Sequence, residues 1–430
     1  MDVCLSYGER GLIADIPDAR LAAVLSPPDA PQLPDLGAAV RSSLQRPIGS
    51  RPLAHLAAAS RHACIVVCDA TRPVPTSAVL PHVLAALDAG GIPLSRVTVL
   101  IATGTHRPAD RTEILRIVGE DLAPHLHVVN HACDDPATHA AVGHTERGTR
   151  VLLDTRYRDA DLRITVGLIE PHFMAGYSGG RKLVMPGVAA LETVLAWHSP
   201  AFLEHPRAAS GFVDGNPVHE EATAAVHLCP PHFTIDVTLS ARNMVTGVFA
   251  GGFDEAWRAG VDFADRHCRA RVAQPADVVV TTCAGYPLDA TFYQAVKGMV
   301  GALPVVAPGG DLIIAAECRE GIGSDAFRDL LLAWDDLGRF VEAIQAPGWT
   351  PVRDQWEVEE LAKAVCHCRV TCFAEGIPPA ILGRLHVTPA DSVEAAVAAA
   401  LERHGPSARV LAIPRGPYVI AEAGAPAATG

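Results

Sequence analysis

Short apolar runs rich in β-branched residues alternate along the chain with stretches of helical periodicity. Such runs predict strands at residues 64–68, 97–102, 127–130, 162–167, 278–283, 312–316 and 370–373. Between the first two, apolar residues recur at i, i+3, i+4 and i+7 from Leu80 to Leu87, which predicts a helix over residues 77–89 that ends at Gly90. A strand, a helix and a second strand in this order form a βαβ unit. Its repetition predicts an α/β fold with mainly parallel sheets.

The alternation is interrupted near residues 268–276, where a stretch rich in arginine and alanine leads into a new strand and a second alternating series. We therefore predict two α/β domains, an N-terminal one over residues 1–270 and a C-terminal one over residues 275–405, with the active site in a cleft between them. The extended segment at about residues 408–422 is a candidate to return to the first domain. Residues 423–430 are expected to form a frayed tail.

Composition and charge narrow the classes of function. The chain has 430 residues, of which 49% are hydrophobic and 19% charged, so it is long enough for two or three domains with their own cores. Its net charge is −13 and it has no basic run, which argues against nucleic acid and anionic membrane as partners. A signal-peptide pattern is absent, and no uncharged apolar stretch reaches about 18 residues. These features predict a soluble cytoplasmic protein.

Lysine is scarce in this chain. Of 35 basic residues only three are lysine, namely Lys182, Lys297 and Lys363. The first two lie within the polar motifs described below, where an amine has chemistry that a guanidinium lacks. Lys363 lies four residues after Glu359 on a predicted helix and is expected to be an ordinary surface charge.

Two polar motifs follow the first two predicted strands. The first contains Asp69 and Arg72, and an arginine fork on a proline-fixed turn suits a carboxylate, although an aspartate–arginine pair that only closes the loop explains this motif equally well. The second contains Gly104 and His106, a turn beside an imidazole that exchanges protons near neutral pH. Both motifs are expected at the carboxyl edge of the sheet, where open parallel sheets bind ligands.

The longest polar motif, residues 170–182, follows the fourth predicted strand and contains His172. Three glycines and a serine lie within five of its residues, among them Ser178, Gly179 and Gly180. The backbone amides of such a loop can bind an anion such as a phosphate, although the Walker pattern is absent. Lys182 ends the loop, and an amine at this place suits a nucleophile or a covalent anchor for a cofactor.

Two further motifs complete the set. His198 follows Lys182 by sixteen residues, and it suits either an imidazole ligand for nickel, copper or zinc or an ordinary structural histidine. A later motif places Tyr293, Gln294 and Lys297 within one helical turn, so that their polar tips share a face. Lys297 then provides, in addition to Arg72, a second cation that suits a carboxylate.

The combined motifs indicate a class of chemistry. They contain two histidines suited to proton transfer, two cations suited to a carboxylate, a lysine at a glycine-rich loop and one further imidazole. The sequence has no His-Glu-x-x-His motif. We therefore expect a small anionic substrate and acid/base chemistry. The residues alone do not indicate what the lysine anchors.

These motifs resemble those of a known enzyme family. They are Asp-x-Thr-Arg-Pro, Gly-Thr-His, Glu-Pro-His-x-x-x-Gly-Tyr-Ser-Gly-Gly-Arg-Lys, Trp-His, Tyr-Gln-x-x-Lys, Asp354-Gln355-Trp356 and residues 416–420. On these motifs, which extend over nearly the whole chain, the sequence resembles the lactate racemase family of nickel-pincer-nucleotide-dependent 2-hydroxy-acid racemases and epimerases. The resemblance implies an isomerase with lactate as the default substrate. Larger 2-hydroxy acids that the family also handles, such as malate and sugar acids, remain alternatives.

The resemblance also implies a cofactor. In that family the lysine that matches Lys182 is joined through a thioamide to pyridinium-3-thioamide-5-thiocarboxylic acid mononucleotide, which holds nickel as a pincer between sulfur, carbon and sulfur. The histidine that matches His198 is the fourth nickel ligand. Further cofactor-binding positions implied are Asp69, Ser178, Gly179 and Gly180. Proteins that make the cofactor are therefore expected partners.

The resemblance assigns the remaining residues to the reaction. One of His106 and His172 takes the hydroxyl proton of the substrate while hydride leaves C2 for the cofactor, and the other histidine acts when hydride returns to the opposite face of the 2-keto acid. Two bases are what racemisation requires. The implied substrate-binding residues are Arg72, Lys297, Gln294, Tyr293 and Trp356.

Two other functions stay open on the sequence. A metal-dependent hydrolase or nucleotide-binding module would use the same residues without a covalent cofactor, and its ligand binding would survive the loss of Lys182. A protein that only carries the cofactor would bind nickel but would exchange no deuterium at C2 of a hydroxy acid.

Overall fold

The computed structural model describes residues 1–424. Of the expected tail, Ala423 instead ends a strand that pairs with Val272, and the part from residue 425 onward lies outside the described residues. Strands and helices alternate over most of this length, as the hydrophobic pattern predicts. In chain order the strands are β1 (Asp2–Leu5), β2 (Leu12–Asp15), β3 (Leu21–Val24), β4 (Ala63–Cys68), β5 (Val97–Ala102), β6 (His127–Asn130), β7 (His139–His144), β8 (Arg150–Asp154), β9 (Leu162–Leu168), β10 (Pro171–His172), β11 (Gly176–Tyr177), β12 (Phe233–Leu239), β13 (Val245–Gly251), β14 (Arg269–Val272), β15 (Ala276–Thr282), β16 (Val306–Ala315), β17 (Arg369–Phe373), β18 (Thr388–Pro389), β19 (Val410–Ile413) and β20 (Ile420–Ala423).

The helices are mostly short and amphipathic. They are α1 (Leu36–Gln45), α2 (Leu53–Ala57), α3 (Thr76–Ala89), α4 (Arg111–Val118), α5 (Thr155–Arg158), α6 (Leu191–Trp197), α7 (Pro200–Leu203), α8 (Pro217–His227), α9 (Phe253–Asp265), α10 (Phe292–Ala302), α11 (Asp325–Ala333), α12 (Leu337–Gln345), α13 (Gln355–His367), α14 (Pro379–Leu382) and α15 (Val393–His404). Single 3₁₀ turns lie at Leu94–Arg96, Ala123–His125, Pro136–Thr138, Gly180–Leu183, Leu303–Val305 and Gly416–Tyr418. Among the described residues, every helix falls short of the length and apolar character needed to cross a membrane.

The chain forms two compact units. The central unit is Asp29–His267, and the terminal unit combines Met1–Pro28 with the chain from Cys268 onward. This differs from the expected first domain, which began at residue 1, because β3 pairs with β19 in the sheet of the terminal unit. The segment near residues 408–422 also lies in this unit, where β19 pairs with β15.

The central unit is built on a six-stranded sheet in the order β13-β12-β9-β4-β5-β6. All neighbouring strands are parallel except β12 and β13. Strand β4 is an unbroken apolar run whose first five residues are buried, as expected for a strand covered on both faces. Because β5, β4 and β9 are consecutive in this sheet, the polar motifs that follow them come to one edge.

The terminal unit has its own six-stranded sheet in the order β18-β17-β16-β15-β19-β3, in which every pair is parallel. Helix α10 packs with α13, and its residues Phe292, Val296 and Met299 are fully buried in the core of this unit. Two mainly parallel α/β sheets confirm the predicted fold class.

All seven predicted strands are present, and six of them begin and end within two residues of the predicted bounds. The largest difference is β16, which begins at Val306, six residues before the predicted start at 312. Its first half contains Gly309 and Gly310, and its register with β15 shifts there. The glycines weaken the apolar pattern from which a strand is predicted.

Candidate active site

The loops that follow β4 and β5 are joined by a hydrogen bond between Asp69 and His106. His106 Nδ1 lies 2.6 Å from Asp69 Oδ2, and Thr71 Oγ1 donates to Asp69 Oδ1 at 2.6 Å. Burial acts to raise the pKa of Asp69, but the imidazole of His106, the guanidinium of Arg72 and the Thr71 hydroxyl together lower it to about 2. Asp69 is therefore ionised at neutral pH and accepts from His106, so the proton of the neutral ring is on Nδ1 and the lone pair on Nε2.

Arg72 is held by an acidic residue from another loop. Its Nε lies 3.0 Å from Glu170 Oε1, and its Nη1 donates to Thr71 Oγ1 at 3.0 Å. The side chains of Arg72 and Glu170 are only 14% and 10% exposed. A guanidinium fixed in this way presents its charge in a set orientation, which suits a carboxylate ligand.

His172 has the opposite tautomer to His106. It ends β10, which pairs with β11, and the tight turn between them directs the amides of Met174 and Ala175 at His172 Nδ1, each at 3.2 Å. Because Nδ1 accepts these two hydrogen bonds, the neutral ring carries its proton on Nε2. The ring also stacks on Phe173 with the centroids 5.0 Å apart.

Lys182 and His198 both lie against the ring of Trp197. Lys182 Nζ is 4.8 Å from the ring centroid of Trp197, and the imidazole of His198 is 4.4 Å from it. Burial and, to a smaller extent, the charge of Lys182 lower the pKa of His198 to about 3. His198 Nδ1 donates to the Val194 carbonyl at 3.1 Å, so Nε2 carries the lone pair of a neutral imidazole. Such a nitrogen is a good ligand for nickel, copper or zinc.

The glycine-rich loop is shaped by contacts within the protein. Gly179 adopts φ of +75°, and a Cβ there would lie 2.8 Å from Asp236 Oδ1. The Ser178 amide donates to the Glu170 carbonyl at 2.9 Å, and the Gly180 amide donates to Asp236 Oδ1 at 3.0 Å. These two amides therefore have acceptors within the protein, and cofactor binding by Ser178, Gly179 and Gly180 stays a prediction. The loop fixes the start of the 3₁₀ turn that carries the lysine.

The remaining predicted residues lie in the terminal unit. Tyr293, Gln294 and Lys297 project from α10 and are buried, and Trp356 at the start of α13 donates through Nε1 to the Tyr293 hydroxyl at 2.9 Å. Burial raises the pKa of Tyr293 well above its ordinary value, so the hydroxyl stays protonated. Among the described residues no donor reaches Gln294 Oε1, which leaves a buried acceptor for a ligand group.

Sequence reasoning missed several residues around these motifs. Glu170 contacts Arg72, and Asp236 contacts the glycine-rich loop. Burial raises the pKa of Asp236 to about 6. Three others, His131, His139 and Asp154, form a separate buried cluster. His131 comes directly after β6, the same position after a strand that singled out the other motifs.

In the central unit, the arrangement offers a proton acceptor, a proton donor, an oriented cation and an amine near a neutral imidazole. Asp69 orients His106 here, and its expected role in binding the cofactor stays a prediction. The set suits proton transfer on a small anionic substrate, and the pair of Lys182 and His198 suits a tethered metal group.

The chain matches two family models. A family model described as the lactate racemase N-terminal domain matches residues 7–211, and one described as the lactate racemase C-terminal domain matches residues 272–421. These matches together extend over most of the chain.

Two curated proteins are similar along nearly their whole length. A lactate racemase of Lactiplantibacillus plantarum is 34% identical over 419 residues, which cover 97% of this chain and 98% of that protein. A lactate racemase of Thermoanaerobacterium thermosaccharolyticum is 31% identical over 419 residues, with the same coverage of 97% and 98%.

Two solved structures are similar to this chain in fold. The lactate racemase apoprotein from Thermoanaerobacterium thermosaccharolyticum superposes with a TM-score of 0.91 at 31% identity, over 98% of this chain and 100% of that chain. A crystal structure of a Thermotoga maritima protein gives a TM-score of 0.69 at 18% identity, over 90% of this chain and 98% of that one. At that identity the second likeness concerns the fold alone.

Proposed function

This chain belongs to the lactate racemase family and is an enzyme of the racemase type, and on that premise we propose that it interconverts the enantiomers of a small 2-hydroxy acid, with lactate as the first substrate to test. The observation that carries the proposal is the pair of histidines in opposite tautomers. His106 follows β5 and His172 follows β9, the strands on either side of β4 in one mainly parallel sheet. His106 is ready to accept a proton, and His172 is ready to donate a hydrogen bond. Racemisation needs such complementary groups because the hydroxyl proton leaves in one half of the reaction and returns in the other.

Proton transfer begins at His106. Its Nε2 takes the hydroxyl proton, and the ionised Asp69 stabilises the imidazolium that forms. His172 presents Nε2–H to the substrate oxygen. To act as the base toward the other enantiomer, the His172 ring must turn so that an unprotonated nitrogen faces the substrate, and the Met174 and Ala175 amides then lose their acceptor.

We assign binding of the substrate carboxylate to Arg72, whose orientation is fixed by Glu170. The family resemblance adds Lys297, Gln294, Tyr293 and Trp356 from the terminal unit to the substrate-binding set. Their burial and the open acceptor on Gln294 support roles as ligand contacts rather than surface residues. Malate and sugar acids, the larger 2-hydroxy acids that the family resemblance implies, remain alternative substrates.

The residues present fit the family's nickel-pincer nucleotide. Lys182 provides the amine for the covalent link, Trp197 covers it, and His198 offers Nε2 as a metal ligand. When bound, this group would supply the acceptor for hydride from C2 of the substrate. Loading requires cofactor-biosynthesis proteins as partners, and we expect the enzyme to work in the cytoplasm beside them.

The proposal is tested by the intact mass of the chain after co-expression with the cofactor-making proteins. We expect a nucleotide-sized adduct on the wild type and on Lys363→Arg, and none on Lys182→Arg, because a guanidinium does not form the thioamide. Lys363 is the matched control since it is a lysine outside the motifs, paired with Glu360. An adduct that survives Lys182→Arg, or a wild type without adduct and nickel, refutes the cofactor assignment.

The histidine roles are tested separately. His106→Ala and His172→Ala should each lower the racemisation rate by about 10²–10⁴-fold, the usual contribution of a general acid or base. His125→Ala is the control because His125 is an exposed histidine of the same unit. Wild-type rates from both active-site variants would refute the pairing of these histidines.

A further inference from the structure

A second group of metal-ligating side chains lies in the central unit, apart from the residues assigned above. His131, His139 and Asp154 are 2%, 9% and 0% exposed, and one ligand atom from each lies within 4.8 Å of the others. His131 directly follows β6, His139 begins β7 and Asp154 ends β8. Three separate strand ends therefore bring two imidazoles and a carboxylate to one buried point.

The hydrogen bonds of His139 fix its tautomer. Its Nδ1 lies 2.8 Å from the Asp135 carbonyl oxygen and 3.1 Å from Thr138 Oγ1. The Thr138 hydroxyl donates its own proton to the same Asp135 carbonyl at 2.9 Å, so both neighbours of Nδ1 are acceptors. The ring proton of His139 is therefore on Nδ1, and Nε2 carries the lone pair.

His131 is held in the same tautomer. Its Nδ1 lies 3.3 Å from Thr103 Oγ1, and the Thr103 hydroxyl donates to the His131 carbonyl at 2.9 Å. Thr103 can thus only accept from the ring, which places the His131 proton on Nδ1 as well. Its Nε2 faces Nε2 of His139 at 2.9 Å. Two lone pairs at this distance repel each other unless a proton or a cation lies between them.

We propose that His131, His139 and Asp154 bind a divalent metal ion of the zinc class. Zinc–nitrogen bonds of 2.0–2.1 Å in a tetrahedral site place two imidazole nitrogens about 3.3 Å apart, so the observed 2.9 Å needs only a small separation of the rings. Imidazole and carboxylate are common zinc ligands, and a water molecule would complete the site.

Hydrogen bonds from the ligands to surrounding groups match those of metal sites. Each imidazole donates a hydrogen bond from its Nδ1–H, His139 to the Asp135 carbonyl and His131 to Thr103 Oγ1. Asp154 Oδ1 accepts from Arg156 Nε at 2.8 Å and from the Arg156 amide at 2.9 Å. Arg156 Nη2 also contacts Asp154 Oδ2. The guanidinium offsets the charge of Asp154, so binding rests mainly on the two imidazoles.

A metal ion here would join the segments that carry the proposed active site. Thr103 contacts His131 and lies three residues before His106, whose amide donates to the Thr103 carbonyl at 2.9 Å. The Asp154 amide donates to the Val188 carbonyl at 2.9 Å, in the segment that follows Lys182. The ion would stabilise both segments without sharing a ligand with His198.

The test is the zinc content of the chain produced without the cofactor-making proteins, equilibrated with zinc sulfate and freed of excess metal by gel filtration. We expect one zinc per chain for the wild type, for the exposed-histidine control His127→Asn and for His198→Ala, and none for His139→Asn. The asparagine keeps a donor near the Asp135 carbonyl, and circular dichroism checks that this variant is folded.

A second measurement needs no variant. Cobalt(II) added to the metal-free wild type should give the intense visible absorption of a four-coordinate site, saturating at one equivalent and removed by zinc. The proposal is overturned if the wild type retains no zinc and gives no such absorption. In that case a proton shared between the His131 and His139 rings explains their 2.9 Å contact. It is equally overturned if His139→Asn retains zinc or if His198→Ala alone loses it.

Discussion

Asp69 Oδ2 accepts a hydrogen bond from His106 Nδ1 at 2.6 Å, and this contact joins the loops after two adjacent parallel strands, β4 and β5. The pairing places Cys68 opposite Ala102 at the ends of these strands, so the residues that follow must lie side by side. A carboxylate that fixes the tautomer of a catalytic imidazole and stabilises its protonated form is a recurrent arrangement for a general base.

Replacing this carboxylate should impair proton transfer more than folding. In Asp69→Asn the His106 ring loses the charge that stabilises its imidazolium, and we expect the racemisation rate to fall by about 10²–10⁴-fold with little change in KM. Initial rates with each enantiomer measure the effect. The control is Asp88→Asn, at an exposed position of the same unit, which should have the racemisation rate of the wild type. A rate for Asp69→Asn within a factor of two of wild type would contradict the role.

Arg72 should act in binding rather than in proton transfer. Arg72→Lys keeps the charge but loses the planar fork held by Glu170, so KM for the hydroxy acid should rise by roughly 10-fold or more, as expected for a lost hydrogen bond to a charged group. Steady-state kinetics separate KM from kcat. The control is Arg51→Lys, because Arg51 is exposed. An unchanged KM would show that Arg72 only closes its loop.

The turn after His172 should tolerate no side chain at Gly176. Gly176 has φ of +77°, and a Cβ there would overlap the Phe212 carbonyl oxygen. Gly148 also has positive φ, +89°, but a Cβ there meets nothing within 4 Å. Both alanine variants incur the cost of a left-handed backbone, about 1–2 kcal/mol, and Gly176→Ala should lose a further ~1–3 kcal/mol to overpacking. Thermal unfolding of the two variants compares them directly, and equal losses would contradict the clash.

Asp236 should make stability depend on pH. Burial raises the pKa of Asp236 from 3.8 to about 6 in the folded protein. The protonated carboxyl therefore contributes its full stabilisation to the folded state below about pH 4, and this stabilisation is lost as the pH rises through 6. Asp236→Asn removes the charge that is costly to bury. The free energy of unfolding of the Asp236→Asn variant, relative to that of the wild type, should therefore increase between pH 4 and pH 7 by at most about 3 kcal/mol.

This pH effect is measured by urea unfolding at several pH values. The amide of the asparagine still offers an oxygen to the Gly180 amide, so the loop should keep its shape. Asp262→Asn, at an exposed position, should follow the wild-type curve. Parallel curves for Asp236→Asn and wild type would mean that Asp236 ionises without penalty.

Local patterns sufficed to predict much of the fold. Strands such as β4, β5 and β9 are rich in apolar, β-branched residues. The rule that ligands bind at the carboxyl ends of parallel strands singles out Asp69, Arg72, His106 and His172 from the sequence alone. The predicted family is confirmed by matches over nearly the whole chain.

Pairings between distant segments were not predictable. That β3 joins β19 depends on the tertiary arrangement, since residues 21–24 have little apolar alternation. The contact of Arg72 with Glu170 and that of Gly180 with Asp236 likewise join residues far apart in sequence. A glycine-rich loop suggested open amides, and only the structure shows that two of them already have acceptors within the protein.

The most direct test of the proposed function is the stereochemistry of lactate after incubation with the loaded enzyme. Starting from pure L-lactate, and separately from pure D-lactate, chiral chromatography should show both reactions converging on an equal mixture, with Lys182→Arg inactive. A panel containing malate and sugar acids identifies the substrate if lactate reacts slowly. Absence of inversion at C2 for every hydroxy acid tested, from an enzyme shown to carry the adduct and nickel, would contradict the assignment as a racemase.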